Sequence, residues 1–477
     1  MSAVYKQVLI INPPSGLYRR DDRCQSRVEE QTVQVIFPPI DLAYLAAMAL
    51  ESGASVHISD YPAEKRGWEA FIADLHRLQP DLLLFDVTTA TLLHDLWACR
   101  IAKELLPDIT TAAKGDYLSL YGESVLKEHP ELDIVLSGEA EDTMAELVTR
   151  GYNETTQGIL FRTRDDTIVS NPARPFIEDL DKIPFPARAL LNNELYQSPE
   201  THNKLTVVHT NRGCPAQCIF CPAGRMSGHK IRFRSPHNIV KELVECVEKH
   251  DIHEFLLHGD TFTMKKSWVI DLCKLMIDSN IKIRWGCNSR VDTIDDERAE
   301  WLHRAGCWVV AFGVESGSQH MLERMKKGTH VEQAVQAIDI CKRHGLLTHA
   351  FFIIGLPWET DATLKETYRL IQRLDTDFFD INIAYPLPGT DFFDIALKDN
   401  LFVSTHAVLD GSYGKAAVRS YELSAEELNS WRRQALLKLY LRPRYITRTL
   451  IRAAHSPVVL TNYISSAFNR LRYLLTG

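Results

Sequence analysis

Three cysteines in one short loop constrain this chain more than any other feature of it. Cys214, Cys218 and Cys221 stand as C-x3-C-x2-C between Gly213 and Pro222. The loop follows an apolar, β-branched run at 205–210, the pattern of a buried strand. Closely spaced thiolates ligate iron–sulfur clusters, and three of them hold three irons of a cubane, leaving the fourth open. A zinc site and unrelated cysteines are the alternatives. Structural zinc usually takes four ligands, and the nearest further donor, His229, lies outside zinc-ribbon spacing.

A chain of 477 residues is too long for one ordinary core, so two or three domains are expected. Apolar content of 45% and charged content of 24% are those of a soluble globular protein. No apolar run is long enough to span a bilayer, and the start lacks a signal peptide's features. Seven further cysteines (Cys24, Cys99, Cys246, Cys273, Cys287, Cys307, Cys341) are scattered, which is a reduced, cytoplasmic pattern and no disulfide framework. The net charge is −8, yet residues 428–477 hold nine Arg or Lys and no Asp or Glu. The body is therefore more acidic than the total, which argues against nucleic acid as a partner.

In residues 1–150, strand patterns (8–11, 56–60, 81–87, 133–137) alternate with helical ones (41–52, 68–78, 92–105). That alternation predicts a Rossmann-like, doubly wound sheet with its ligand at the carboxyl ends of the strands. Residues 151–200 read as a linker: a hairpin across 164–166, then four prolines between 172 and 186. From 201 to 400, strands near 205–210, 254–258, 281–286, 308–313, 347–354 and 378–384 predict six β/α units. A barrel of that kind carries its active site at the strands' carboxyl ends. Asp260, Asn288, Arg290, Glu315, Ser316 and Gly355 all fall there. Asp after a strand also commonly caps a helix, and Arg290 suits either a bidentate carboxylate grip or a rim salt bridge.

The cysteine loop, with Phe220 directly before the third cysteine, resembles the signature of the radical S-adenosylmethionine (SAM) superfamily. The runs ending at Asp260–Thr263, Gly313–Gly317 and Gly355–Pro357 are similar to that family's strand-end motifs, although Gly259 replaces a first Asp. Asn12-Pro13-Pro14, the stretch 38–46 and Gly138-Glu139 look like the cobalamin-binding domain fused to many such enzymes. The whole pattern is similar to the branch containing the anaerobic magnesium-protoporphyrin monomethyl ester cyclase and hopanoid-modifying proteins. The resemblance implies an α/β architecture: a Rossmann-like cobalamin-type domain, a partial (β/α)6 barrel and a helical C-terminal region at 401–477. It implies a 4Fe-4S cluster on Cys214, Cys218 and Cys221, with SAM on the open iron, cleaved to a 5′-deoxyadenosyl radical. Phe220, Asp260, Asn288, Arg290, Glu315, Ser316 and Gly355 would contact SAM, and Asn12, Thr88, Gly138 and Glu139 would contact cobalamin. Two departures stand out: no Asp-x-His-x-x-Gly motif supplies a lower histidine ligand, and Lys114-Gly115-Asp116 replaces Gly-Gly-Pro.

The expected activity is methylation of an unactivated carbon, with oxidative cyclisation or rearrangement of a lipid- or tetrapyrrole-like substrate as the alternative. A flavodoxin or ferredoxin would supply electrons. Arginines mixed with leucines and aromatics at 446–475 suggest a surface for peripheral contact with anionic lipid, or else a packed helix paired with the acidic body.

Overall fold

The computed structural model describes residues 3–21, 24–28, 35–404, 409, 412–453 and 461. The chain divides into two compact units. One comprises Met1–Arg27, Pro38–Leu195 and Pro222–Arg232; the other comprises Val28–Phe37, Tyr196–Cys221 and Phe233–Gly477.

The first unit contains β1 (Gln7–Asn12), β2 (Tyr18–Asp21), β3 (Cys24–Arg27), α1 (Ile40–Glu51), β4 (Ser55–Asp60), α2 (Trp68–Leu78) and β5 (Leu82–Asp86). It continues through α3 (Leu92–Asp95), α4 (Trp97–Leu105), β6 (Thr110–Lys114), α5 (Asp116–Glu128), β7 (Ile134–Leu136), α6 (Glu141–Arg150), β8 (Ile159–Arg162) and β9 (Ile168–Ser170). Its sheet runs β4-β1-β5-β6-β7-β8-β9. The first five strands are parallel, and Leu9, Ile10 and Ile11 are fully buried between helices on both faces. Near-continuous apolar runs are what such a sheet demands. The hairpin β8–β9 pairs antiparallel with β7 and extends this sheet. The helix expected over 92–105 breaks at Leu96, beside Asp95, whose carboxylate is drawn inward onto Arg20 at 2.8 Å.

The second unit contains β10 (Leu205–Arg212), and the short α7 (Ala223–Met226) belongs to the first. Then follow β11 (Arg232–Phe233), α8 (Pro236–His250), β12 (Glu254–Gly259), α9 (Lys266–Asp278), β13 (Arg284–Ser289), α10 (Asp296–Arg304), β14 (Cys307–Glu315), α11 (Gln319–Arg324) and α12 (Val331–Arg343). The last elements are β15 (Leu347–Ile354), α13 (Asp361–Leu374), β16 (Phe378–Ile383), α14 (Asp391–Lys398), α15 (Ala425–Tyr440) and α16 (Pro443–Ala453). The sheet order β11-β10-β12-β13-β14-β15-β16, parallel from β10 onward, is an open six-unit (β/α) barrel. Val208, Leu257, Cys287, Val310, Phe352 and Ile381 turn one sheet face into a single core beneath the helices. The strand expected at 281–286 begins three residues later, because Cys287, Asn288 and Ser289 pair with Val310, Ala311 and Phe312 of β14.

Pro443 opens α16, as its fixed φ and missing N–H favour. Ser424 and Glu427 form a capping box that starts α15. In the described part of the basic tail, Arg444 and Arg448 reach Asp375 at 3.0 and 3.3 Å. Most of 454–477 lies outside the described residues.

Candidate cluster, nucleotide and corrinoid sites

β10 delivers the cysteine loop at its carboxyl end. The Gly213 N–H donates to Asp260 Oδ2 at 2.6 Å, fastening the loop's first residue to the end of β12. Between the second and third cysteines, Ile219 is 3% exposed and packs with Met321, Met325 and Phe392. Its N–H donates to Met325 O and its carbonyl accepts from Phe392 N. Ile219 is thus the loop's anchor, and Phe220 packs beside it. Of the nine described cysteines, all are free; Cys214, Cys218 and Cys221 are half-exposed and the other six buried. No group of three or more His, Cys, Asp or Glu among the described residues is gathered around one ion-sized point. A cluster places each thiolate on a separate iron, so its cysteines need not converge there.

Cys218 faces a charged wall. Burial pushes its thiol pKa up, and Glu315 pushes the same way, while Lys327 and Arg290 pull it down. Lys327 Nζ meets Glu315 Oε1 at 2.6 Å, both side chains 8% exposed. Burial alone would lower the Lys327 pKa, but the Glu315 and Cys218 charges outweigh it and hold the ammonium above its ordinary value. The backbone is bent to make this pair. A bulge separates Gly313 from Glu315, which takes φ +67, and Lys326 takes φ +53. A Cβ on Gly313 would stand 2.5 Å from Glu315 Oε1 and 2.9 Å from Lys327 Nζ. Left-handed non-glycine residues cost about 1–3 kcal/mol each and cluster at functional sites.

Arg290 spends its fork on Asp292 (2.9 and 2.8 Å) and on Lys327 O at 3.1 Å. Asn288 stands half-exposed on the inner face of β13. Beside Asp260, Thr261 Oγ1 is buried with no hydrogen-bond partner. Ser316 and Gly355, expected to face the nucleotide, also make bonds within the protein. The Ser316 hydroxyl meets Thr367 Oγ1 at 3.1 Å, and the Gly355 N–H donates to Glu359 Oε2 at 3.1 Å. Lys327 and Ile219 were missed by sequence reading: Lys327 belongs to no local motif, and Ile219, although inside the cysteine loop, carries no donor atom that would single it out.

At the first sheet's carboxyl edge, the β2–β3 hairpin reaches over the ends of β5 and β6. Arg20 donates to Asp86 O at 2.6 Å and pairs with Asp95. Gln25 accepts from Thr89 N at 2.8 Å and donates to Asp116 Oδ2 at 3.2 Å. Burial raises the Asp86 pKa against the pull of Lys114, 3.6 Å away. Gly115 takes φ +148, and a Cβ there would stand 2.2 Å from Val87 O. The glycine within Lys114-Gly115-Asp116 therefore remains a steric requirement. Thr88 is tied to Thr91 (Oγ1 to Oγ1, 2.8 Å), whereas open space lies beside Gly138. Glu139 is held within the protein: Arg232 grips its two oxygens at 2.9 and 2.8 Å, and Ile177 N donates at 2.7 Å.

Residues 208–371 match the model of the radical SAM superfamily, and residues 30–148 match the B12 binding domain. The chain belongs to the radical SAM superfamily, in the branch with a B12-binding domain. This radical SAM protein is 29% identical over 454 residues to an uncharacterized methyltransferase of Pyrococcus horikoshii, covering 94% of this chain and 95% of that protein. It is 32% identical over 367 residues to the anaerobic magnesium-protoporphyrin IX monomethyl ester cyclase of Rubrivivax gelatinosus, covering 75% of this chain and 66% of the cyclase. Among solved structures, the cobalamin-dependent SAM radical enzyme OxsB, with aqua-cobalamin and SAM bound, superposes with a TM-score of 0.73 at 16% identity, covering 99% of this chain and 72% of that one. The methyltransferase TsrM of Kitasatospora setae, with cobalamin and a [4Fe-4S] cluster bound, gives 0.67 at 16%, covering 91% and 82%. At such identities the likeness is one of fold.

The radical SAM domain implies a [4Fe-4S] cluster and SAM, and the B12-binding domain implies cobalamin. The residues present fit each group. Three partly exposed thiols suit the cluster, and the unsatisfied Thr261 hydroxyl, beside Asp260 at the end of β12, suits a polar ligand. At the other edge, Asn12 Oδ1 and Thr89 Oγ1 are buried without hydrogen-bond partners, as acceptors awaiting a ligand rich in amides would be.

Proposed function

We propose that this chain is a cobalamin-dependent radical SAM methyltransferase acting on an unactivated carbon of a small molecule. The observation that carries the reading is the trio of half-exposed thiols beside the buried Lys327–Glu315 pair, in a chain that also carries a B12-binding domain. The full-length similarity to a protein named as a methyltransferase supports it. When bound, the cluster supplies the electron that splits SAM into methionine and a 5′-deoxyadenosyl radical, and cobalamin supplies the methyl group.

Cys214, Cys218 and Cys221 hold the cluster in this reading. Asp260 fixes the loop that presents them. Glu315, neutralised on one oxygen by Lys327, offers the other to a cationic part of the nucleotide, and Asn288 and Arg290 line the same edge. Asn12, Thr89 and the open side of Gly138 take the corrinoid's amides. The barrel runs from about 201 to 400, and the corrinoid-binding fold takes about the first 150 residues, with the β8–β9 hairpin added to its sheet.

The test is anaerobic reconstitution with iron, sulfide, cobalamin and a strong reductant. Methylation yields both 5′-deoxyadenosine and S-adenosylhomocysteine. Cyclisation without methyl transfer yields the first alone, and intact SAM rejects both.

Free cysteines throughout the described chain suit a reducing cytoplasm, where a flavodoxin or ferredoxin would serve as donor. A second reading concerns the tail: Ile446, Leu450 and Ile451 of α16 are exposed among arginines, which favours contact with anionic lipid and access to a lipid-like substrate. Anionic vesicles should retain the intact chain but not one truncated after Tyr440.

A further inference from the structure

A parallel sheet normally has both faces covered, yet the second sheet keeps a half-exposed row on the face opposite its core. Side chains alternate along a strand. Since Ala350, Phe352 and Ile354 enter the core, His349, Phe351 and Ile353 face the barrel interior. By the same alternation with Phe379, Ile381 and Ile383, Asp380 and Asn382 face it from β16. His349 Nε2 lies 2.8 Å from Asp380 Oδ2, at 18% and 15% side-chain exposure. The imidazole is pinned by Phe351 and Phe378, with ring centroids 4.3 and 5.9 Å away. On the neighbouring strand it is the small Ala311 that pairs with His349.

We infer that His349 is a substrate-binding residue of the barrel interior, oriented by Asp380, and that the substrate presents an O–H or N–H donor to it. The inference rests on the function proposed above and narrows its substrate class. A carboxylate accepts and cannot donate when ionised, so Nε2 must carry the proton it shares with Asp380. In the neutral form of such a ring Nδ1 is the bare acceptor, and no hydrogen bond to it is found among the described residues. Carboxylates fix the tautomer of functional imidazoles in this way. Asp380 is the positioning residue. An interior holding a buried-edge acceptor, flanked by Phe351 and Phe378, suits a partly aromatic or unsaturated molecule bearing a hydroxyl or N–H better than a bare hydrocarbon chain. A polar site rejects an analogue lacking the matching group far more strongly than an apolar pocket does.

The test uses the full-length protein labelled with 15N-histidine, without cluster, the His349 signals being identified by their loss in His349→Gln. Long-range proton–nitrogen correlation should show Nε2 protonated and Nδ1 bare, and Asp380→Asn should mix the tautomers. Phenol, titrated as a donor probe, should shift the bare nitrogen, and anisole, of similar shape without a donor, should not. A protonated Nδ1 in the wild type, or equal responses to phenol and anisole, would overturn the inference. In the loaded enzyme with methyl-labelled SAM and a metabolite extract, His349→Phe should lower labelled product per 5′-deoxyadenosine at least tenfold; an unchanged ratio also overturns it. Wild-type protein that leaves SAM intact would instead sink the proposed function, while the nitrogen measurements still decide the role of His349.

Discussion

At the carboxyl edge of the second sheet, the candidate site groups stand close in sequence to the strands that carry them: the cysteines follow β10, Asp260 follows β12, Arg290 follows β13, and Glu315 ends β14. At the first sheet's edge, the groups come from afar. Arg20 and Gln25 arrive on a hairpin to meet Asp95, 75 residues later, and Asp116, 91 residues later. The one edge is organised by bent backbone and local motif, the other by a long-range network of buried charge and amide. An edge of the first kind holds its chemistry with short segments. One of the second kind stakes its geometry on every partner being present.

The largest effect is expected where the contrast is sharpest. Cys218→Ala should abolish cluster assembly at three thiolates and with it SAM cleavage, measured as 5′-deoxyadenosine after anaerobic reconstitution. Because Cys218 is only partly buried, thermal stability of the cluster-free protein should change by about 1 kcal/mol or less. Retained cleavage would remove the ligand assignment.

Lys327→Met and Arg20→Met then compare the two edges directly. Each strands a buried carboxylate, Glu315 or Asp95, and breaking a buried pair in this way costs about 3–5 kcal/mol. Denaturant unfolding should show losses of that size in both. They should diverge in chemistry: Lys327→Met weakens SAM binding to the reconstituted cluster, and Glu315→Gln in the same chain restores stability in part. Arg20→Met should release cobalamin and leave SAM binding in place. Equal loss of SAM binding in both variants would mean that the edges do not act separately.

The same contrast decides what could be read without coordinates. The strand at 347–354 and the helix at 68–78 fall where their apolar periodicity puts them. The cysteine trio needs only its spacing, and strand-end motifs carry Asp260, Arg290 and Glu315. Lys327 escaped because α11 lies between it and its partner, so no short pattern joins them. Glu139 shows the opposite case. Gly138-Glu139 looks like a ligand motif, while its real partner, Arg232, lies 93 residues away. Likewise Gln25 carries no local signal of the Thr89 N–H that it caps. Local order is legible where chemistry and chain are neighbours, and long-range pairing is not.

The smaller effects concern pH and single hydrogen bonds. Glu359 is 1% exposed, and burial pushes its carboxyl pKa up to about 7 despite the bonds from Thr363 and Gly355. A carboxyl raised above its unfolded value of 4.5 resists ionising in the folded state, so stability is fully present below about pH 4.5 and is lost as pH rises towards 7. The loss is on the order of 3 kcal/mol. Glu359→Gln keeps an acceptor for the Gly355 N–H, so its unfolding free energy should be flatter than the wild type's across that window. Parallel curves would show that Glu359 titrates normally.

Gln25→Ala should have the smallest effect and tests the first edge most finely. It removes an acceptor from the buried Thr89 N–H and a donor from Asp116 without stranding a full ion pair. Leaving a buried donor unsatisfied costs about 1–3 kcal/mol, and a water entering the vacated space recovers part of that. Folding should therefore survive, and cobalamin affinity should fall several-fold while SAM cleavage persists. If the hairpin were only a cover, with the corrinoid's amides held by Asn12 and Thr89 alone, Gln25→Ala would lower stability and leave cobalamin affinity unchanged. Equilibrium dialysis of cobalamin against the variant distinguishes the two, because Thr89 hosts both the N–H that Gln25 holds and the hydroxyl proposed to meet the ligand.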